Sequence, residues 1–356
     1  MGLGLIILRF LFPYIGLGMR CPERRYSENP HPLTGFAMIS RRGALVAGAA
    51  FFSAAWPTSP ALGRFAQSCR DRLVRLKGGR VLSYREYGNP AGPLVLYFHG
   101  TPGSRFEAGL IEDDACCAGV RLVSIDRPGM GCSTYDACRR ILDWPCDAVE
   151  LADTLGGCGS PFGILALSGG APYAAACALR IPERLTHVAI VSGHTPPDAP
   201  GVCPGSEDKK IALIARHQRL GNLALGLISR RLDRKAEKVI TKATSSWPAA
   251  DRLLVLCNPR HHRNLIANLA AATHCGPHGA VTDIHLLGSP WCFSLGAIQG
   301  VNVSIWQGGC DPIATPSMGR YFHRHIAGSE LRIDPHAGHV TMFKWHAAEI
   351  LARFVL

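Results

Sequence analysis

The stretch ILALSGGAPYAAACAL, Ile164 to Leu179, runs apolar, bends through Ser168-Gly169-Gly170 and resumes as an alanine-rich segment. Its first half is continuously apolar, as in a strand covered on both faces. Its second half is rich in helix formers behind Pro172, which suits a helix first turn. Ser168 stands where the chain must change direction. It is either a small turn residue or a hydroxyl displayed for chemistry. Ala166 and Gly170, two positions either side, are small, and Gly169 follows directly. A turn that brings strand and helix backbones together demands small residues there.

The segments around this turn repeat its rhythm. LVRLKGGRVLSYREYG (Leu73–Gly88) reads as two alternating strands joined at Gly78-Gly79. GPLVLYFHG (Gly92–Gly100), VRLVSIDRPG (Val120–Gly129), HVAIVSG (His187–Gly193) and VNVSIWQGG (Val301–Gly309) read as buried strands, and ELRID (Glu330–Asp334) as a short one. Helices are predicted within 104–118, from Asp143 with Pro145 in the first turn, to about Arg180, after Pro316, and from about Met342. Strands alternating with helices give an α/β fold with a mostly parallel central sheet flanked by helices.

The alternation stops near Pro196. Residues 205–290 show helical periodicity broken at Pro248, Pro259 and Pro277, and LGLISRRLDRKAEKVITKA (Leu225–Ala243) sets apolar against basic residues. The expected organisation is therefore a core over 62–195 and 296–356 with an inserted helical cap over 196–295.

The 47% hydrophobic and 18% charged content of the 356 residues excludes a disordered chain. The formal charge is +12, of which residues 1–61 carry +4, with six arginines against Glu23 and Glu28. That excess reads as solubility, and no nucleic-acid partner is expected. The 14 cysteines are scattered without a C-x-x-C pair, and a chain this long needs no disulfide staples. They are expected to be buried free thiols. At the N-terminus, Ser40-Arg41-Arg42-x-x-Leu45 precedes a short apolar run and the small triplet Ser59 to Ala61. Residues 1–61 are read as a targeting segment resembling a twin-arginine export signal, whose use would place the mature chain in the periplasm or outside the cell; the alternative is a cytoplasmic chain. Met38 is an alternative start. The run is too short for a stable membrane span.

A serine nucleophile needs a base, an acid that orients the base, and donors for the oxyanion. His339 in DPHAGHVTMF follows the last predicted strand. Asp311 in WQGGCDPIATP follows a buried strand and precedes His339 by 28 residues. The backbone N–H of Thr101, in HGTPGSR (His99–Arg105), and that of Gly169, opening the helix after the serine, are the oxyanion candidates. His336 and Asp334 are weaker rivals for base and acid. Asp126 is expected to fix the turn after its strand, and Cys132 and Cys310 to pack near the site. His261, His262, His323 and His325 read as surface residues, and no metal site is expected.

The stretches YFHGTPGSR, SIDRPGMGCST, LALSGGAPYA, PWCFSLGAIQGVNVSIWQGGCDPIATP and PHAGH resemble the α/β-hydrolase superfamily in its capped, esterase-like group. The order Ser168, Asp311, His339 matches that family. The resemblance implies a serine hydrolase that cleaves a carboxylic ester or related acyl bond of a small molecule through an acyl-enzyme, without metal or organic cofactor. The same triad serves iminopeptidase-like aminopeptidases, carbon–carbon bond hydrolases and lactonases. The iminopeptidase reading is weakened because HGTPG stands where HGGPG is usual. Epoxide hydrolases and dehalogenases place an aspartate where Ser168 stands. A non-catalytic binder on the same fold is the rival of a different class.

Overall fold

The computed structural model describes residues 71–355. The export signal expected at Ser40–Leu45 and the cleavage point at Ala61 lie outside the described residues. Eight strands form one sheet: β1 (Asp71–Arg75), β2 (Val81–Gly88), β3 (Leu94–Phe98), β4 (Arg121–Ile125), β5 (Phe162–Leu167), β6 (Leu185–Val191), β7 (Val303–Gly308) and β8 (Glu330–Asp334). Their order is β1-β2-β4-β3-β5-β6-β7-β8. β1 with β2 and β2 with β4 are antiparallel; every other pairing is parallel. The expected hairpin is present, with Gly79 at a φ of +80° in its turn.

Strand β5 lies near the middle of the sheet and is buried along its whole length. Its alternate residues serve two cores. Ile164 and Ala166 join Phe98, Trp144 and Phe322 on one face, while Leu165 and Leu167 join Tyr97, Phe343 and Leu351 on the other. This is why its sequence is apolar without alternation. Helices α1 (Glu112–Ala118), α2 (Trp144–Gly156) and α3 (Ala171–Arg180) make the crossovers. The alanines of α3 are all buried, so that helix lies close against the sheet. The crossover predicted over 104–118 is split into a 3-10 turn, Glu107–Ile111, and α1.

Between β6 and β7 the chain forms five helices: α4 (Asp208–Arg216), α5 (Gln218–Ala243), α6 (Ala249–Leu256), α7 (Pro259–Ala272) and α8 (His278–Leu287). Pro248 and Pro277 immediately precede α6 and α8, and Pro259 opens α7, so each proline sits where a helix begins. Leu232 and Ile240 of α5 are buried, whereas Arg230, Arg231, Arg234 and Lys238 are exposed. No helix among the described residues is long and apolar enough to cross a membrane.

Helix α9 (Pro316–His325) precedes β8, and α10 (His339–Trp345) and α11 (Ala347–Ala352) close the chain. The last helical region thus begins at His339, three residues before the expected Met342. The cysteines also depart from expectation. All those described are free, but only Cys177 is buried and most are exposed. They occupy loops and outer helix faces, where small neighbours did not signify burial.

Candidate active site

Parallel strands β3, β5, β6, β7 and β8 deliver their C-terminal ends to one edge of the sheet. The connection after β3 leads to β4 on one side, and that after β5 leads to β6 on the other. The two loops therefore part at a crevice, the place where ligands bind in such sheets. Gly100 and Thr101 follow β3 there, and Ser168 follows β5.

Ser168 has a φ of 54°, in the left-handed region that non-glycine residues avoid. A backbone of this kind costs on the order of 1–3 kcal/mol and persists only where its surroundings enforce it. They do so here by close approach. A Cβ on Gly170 would fall 2.2 Å from Phe98 O, and one on Gly169 would fall 2.3 Å from Thr101 Oγ1 and 3.1 Å from Thr101 N. The small residues of the opening motif thus bring the Thr101 and Gly169 backbones together beside Ser168.

Asp311, in the loop after β7, and His339, at the start of α10, meet through an Nδ1–Oδ2 hydrogen bond of 2.7 Å. The other oxygen, Asp311 Oδ1, accepts the N–H groups of Ile313 and Ala314. Both residues are buried. Burial pulls the His339 pKa down, but the facing Asp311 carboxylate, with Asp251 and Glu107 behind it, outweighs burial and the net shift is upward. Ser168 Oγ makes no hydrogen bond to the imidazole among the described residues; such contacts are commonly long before substrate binds. The rivals are elsewhere. His336 is exposed, and Asp334 binds His346 Nε2 at 2.8 Å.

The loop after β3 is held from several directions. Arg127 is completely buried and donates to the carbonyls of His99 and Gly100 and to Thr101 Oγ1. Asp283, on α8, accepts from Arg127, Arg139, Tyr173 and the Thr101 hydroxyl. Burial alone would raise its pKa, but the two guanidiniums hold it far below the usual carboxylate range. Glu107 accepts the Gly100 N–H at 2.6 Å and the Tyr97 hydroxyl at 2.8 Å, and Asn268 of α7 donates to it. Asn268 also accepts the Ser104 N–H. Helices of the insert thus grip the very loop that carries Thr101.

Asp126 does not simply close its own turn. Its carboxylate binds the backbone and guanidinium of Arg105 and the hydroxyl of Ser83, so it ties the loop after β4 to the one after β3. Cys310 is exposed, with its thiol directed at Pro335 O. His194, after β6, donates its N–H to Ser168 O and lines a cleft of about 180 Å³ with Pro196, Val202, Asp208, Ile211 and Met318. Burial, then the neighbouring His339, lowers the His194 pKa to about 4, so it is neutral at pH 7. No group of three or more His, Cys, Asp or Glu able to hold a metal occurs among the described residues.

Glu107, Asp251, Asn268 and Asp283 went unrecognised in the sequence. Asp283 alone carried a signal, as a lone acid in the apolar run HGAVTDIHLL. A charge in such a run needs a buried partner.

No curated protein sequence matches the chain. Solved structures similar to it include a hydrolase from Pseudomonas aeruginosa PA01, at 18% identity and a TM-score of 0.58, covering 80% of this chain and 97% of that one. An enol-lactonase from Burkholderia xenovorans LB400 shows 19% identity and a TM-score of 0.57, covering 78% and 96%. A thermophilic esterase from Thermogutta terrifontis shows 18% identity and a TM-score of 0.57, covering 80% and 96%. At these identities the likeness is one of fold. The profile of the alpha/beta hydrolase family matches residues 95–353, from β3 to α11, and so takes in both the sheet edge and the insert. The chain belongs to the alpha/beta hydrolase family.

Proposed function

We propose that the protein is a serine hydrolase that cleaves a carboxylic ester, or a related acyl bond, of a small molecule. The observation that carries this reading is the 2.7 Å bond between His339 and Asp311 on the sheet edge where Ser168 is held at a φ of 54°. His339 Nε2 takes the Ser168 proton as Oγ attacks the acyl carbon. Asp311 keeps the Nδ1–H tautomer and stabilises the imidazolium. The Thr101 and Gly169 amides hold the oxyanion. The leaving alcohol receives the proton from His339, and the resulting acyl-enzyme is released by water that His339 activates. The helical insert serves as a cap, and the cleft beside His194 takes an acyl or alcohol group of modest size.

A fluorophosphonate probe tests this directly. The folded wild-type chain should be labelled at one serine, and Ser168→Ala should lose labelling and about 10⁴–10⁶-fold in ester turnover. Equal labelling of wild type and Ser168→Ala would overturn the assignment.

A further inference from the structure

The base is held by two carboxylates, and only one belongs to the triad. Helix α10 starts at His339 itself. Its first amides lack partners within the helix, and the preceding Gly338 has no side chain with which to cap them. Asp251, from the first turn of α6, supplies the acceptors across 88 residues of chain. Its Oδ2 accepts the N–H of His339 at 2.8 Å. Its Oδ1 accepts the N–H groups of Val340 and Thr341, at 3.2 and 2.8 Å, and the Thr341 hydroxyl at 2.7 Å. Thr341 Oγ1 in turn accepts the Gly338 N–H at 2.7 Å. The carboxylate is fully buried. Its approach is close enough that a Cβ on Gly338 would fall 2.4 Å from Oδ2.

We propose that Asp251 is a positioning residue for the base: it fixes the backbone from which the His339 imidazole projects, and so makes proton transfer at Ser168 depend on the seating of the helical insert. This rests on the reading of His339 as the base. Asp311 fixes the ring through Nδ1, but a ring is only as well placed as its Cα. The backbone clamp belongs to a separate part of the chain, between β6 and β7. A carboxylate at a helix N-terminus is favoured by the amide dipoles and makes charge-assisted bonds, so the clamp is a strong one. The imidazole is also faced by Asp311 from the loop after β7, Glu107 from the turn after β3 and neutral His194 from the loop after β6. Asp251 adds a second buried negative charge that favours the imidazolium formed during the reaction.

The test compares wild type, Asp251→Asn and Thr341→Val as full-length chains, using an ester that the wild type turns over. Asp251→Asn should lower kcat about 10–100-fold while KM changes less than about threefold, as expected when a reacting group is misplaced rather than substrate binding lost. Removing the charge should also move the acid limb of kcat/KM to lower pH. The ¹³Cε1 resonance of His339 should titrate lower by the same amount, a readout that needs no turnover. Thr341→Val keeps the charge. It should lower kcat more than about threefold and leave the acid limb in place. A folded Asp251→Asn with kcat within about twofold of wild type and an unmoved His339 titration overturns the proposal. If that variant does not fold, an unchanged kcat in Thr341→Val overturns it instead. If the wild type neither hydrolyses esters nor labels at Ser168, the hydrolase reading itself fails, a result distinct from an Asp251→Asn variant that keeps its turnover.

Discussion

Two buried aspartates of the same insert face the two halves of the site and are satisfied in opposite ways. Asp283 meets the loop that carries Thr101 through side chains only: two arginines, a tyrosine and a threonine. Asp251 meets the start of α10, at His339, through three backbone amides and one hydroxyl. The first is charge neutralised by charge. The second is charge held by peptide dipoles. Their loss should therefore have different consequences. Without Asp283, two buried guanidiniums lose the carboxylate that neutralises them. Without Asp251, only neutral amides are stranded, and the damage falls on where the imidazole sits.

The sharpest way to break the contrast is Asp283→Ala. Arg127 and Arg139 are 0% and 7% exposed, so the variant should lose about 3–5 kcal/mol of stability in urea unfolding, as when one member of a buried ion pair is removed. A loss of under about 1 kcal/mol would show that the guanidiniums find other partners and that the two sides are not different in kind.

The next effect belongs to the base side. As the proposed base, His339 must be neutral to accept a proton, and its pKa lies above the ordinary 6.5. The pH profile of kcat/KM should therefore fall on its acid side with a midpoint above 6.5. Below it, activity should drop about tenfold per pH unit. Stability runs the other way. A raised folded-state pKa gives stabilisation that is complete below the unfolded value and is lost as pH rises through the folded value. His194, with a pKa of about 4, should add no limb near neutrality.

The smallest effect expected is that of Thr101→Val. It removes one donor from Asp283 and one acceptor from Arg127 but leaves the Thr101 amide in place. Stability should fall by about 1.5–3 kcal/mol, the range for a hydrogen bond to a charged group. Urea unfolding beside ester kinetics would separate that loss from any change at the proposed oxyanion site.

The same two sides differ in how far the sequence disclosed them. The inner strands were legible as apolar runs of strand length ending in a turn, as FGILAL is, whereas the hairpin strands were legible by alternation and ELRID only as a short segment between turns. Ser168, Asp311 and His339 stood out as candidates because each follows a predicted strand, and the structure brings Asp311 and His339 into contact. Asp251 was not. In AADRLLVL it looks like any acid in the first turn of a helix, where it would serve its own amides. It serves another helix instead, and no local pattern encodes a partner 88 residues away. The late start expected for the last helix has the same origin. Gly338-His339 lacks a cap of its own, so the sequence hid a helix end that the insert completes. The cysteines misled for the opposite reason: small neighbours were read as packing, although most of those segments face water.

The anchoring of both halves by one insert also bears on how such a fold can be remodelled. Exchanging the segment between β6 and β7 for that of a relative is an obvious route to a new substrate range. In this chain the exchange would remove more than a pocket wall, because the donor segment would have to bring acids in register with the amides of α10 and with Arg127. On the proposed function, substrate range and catalytic competence are written in the same stretch of chain, and a library confined to the cleft face of α4 would vary the first without touching the second.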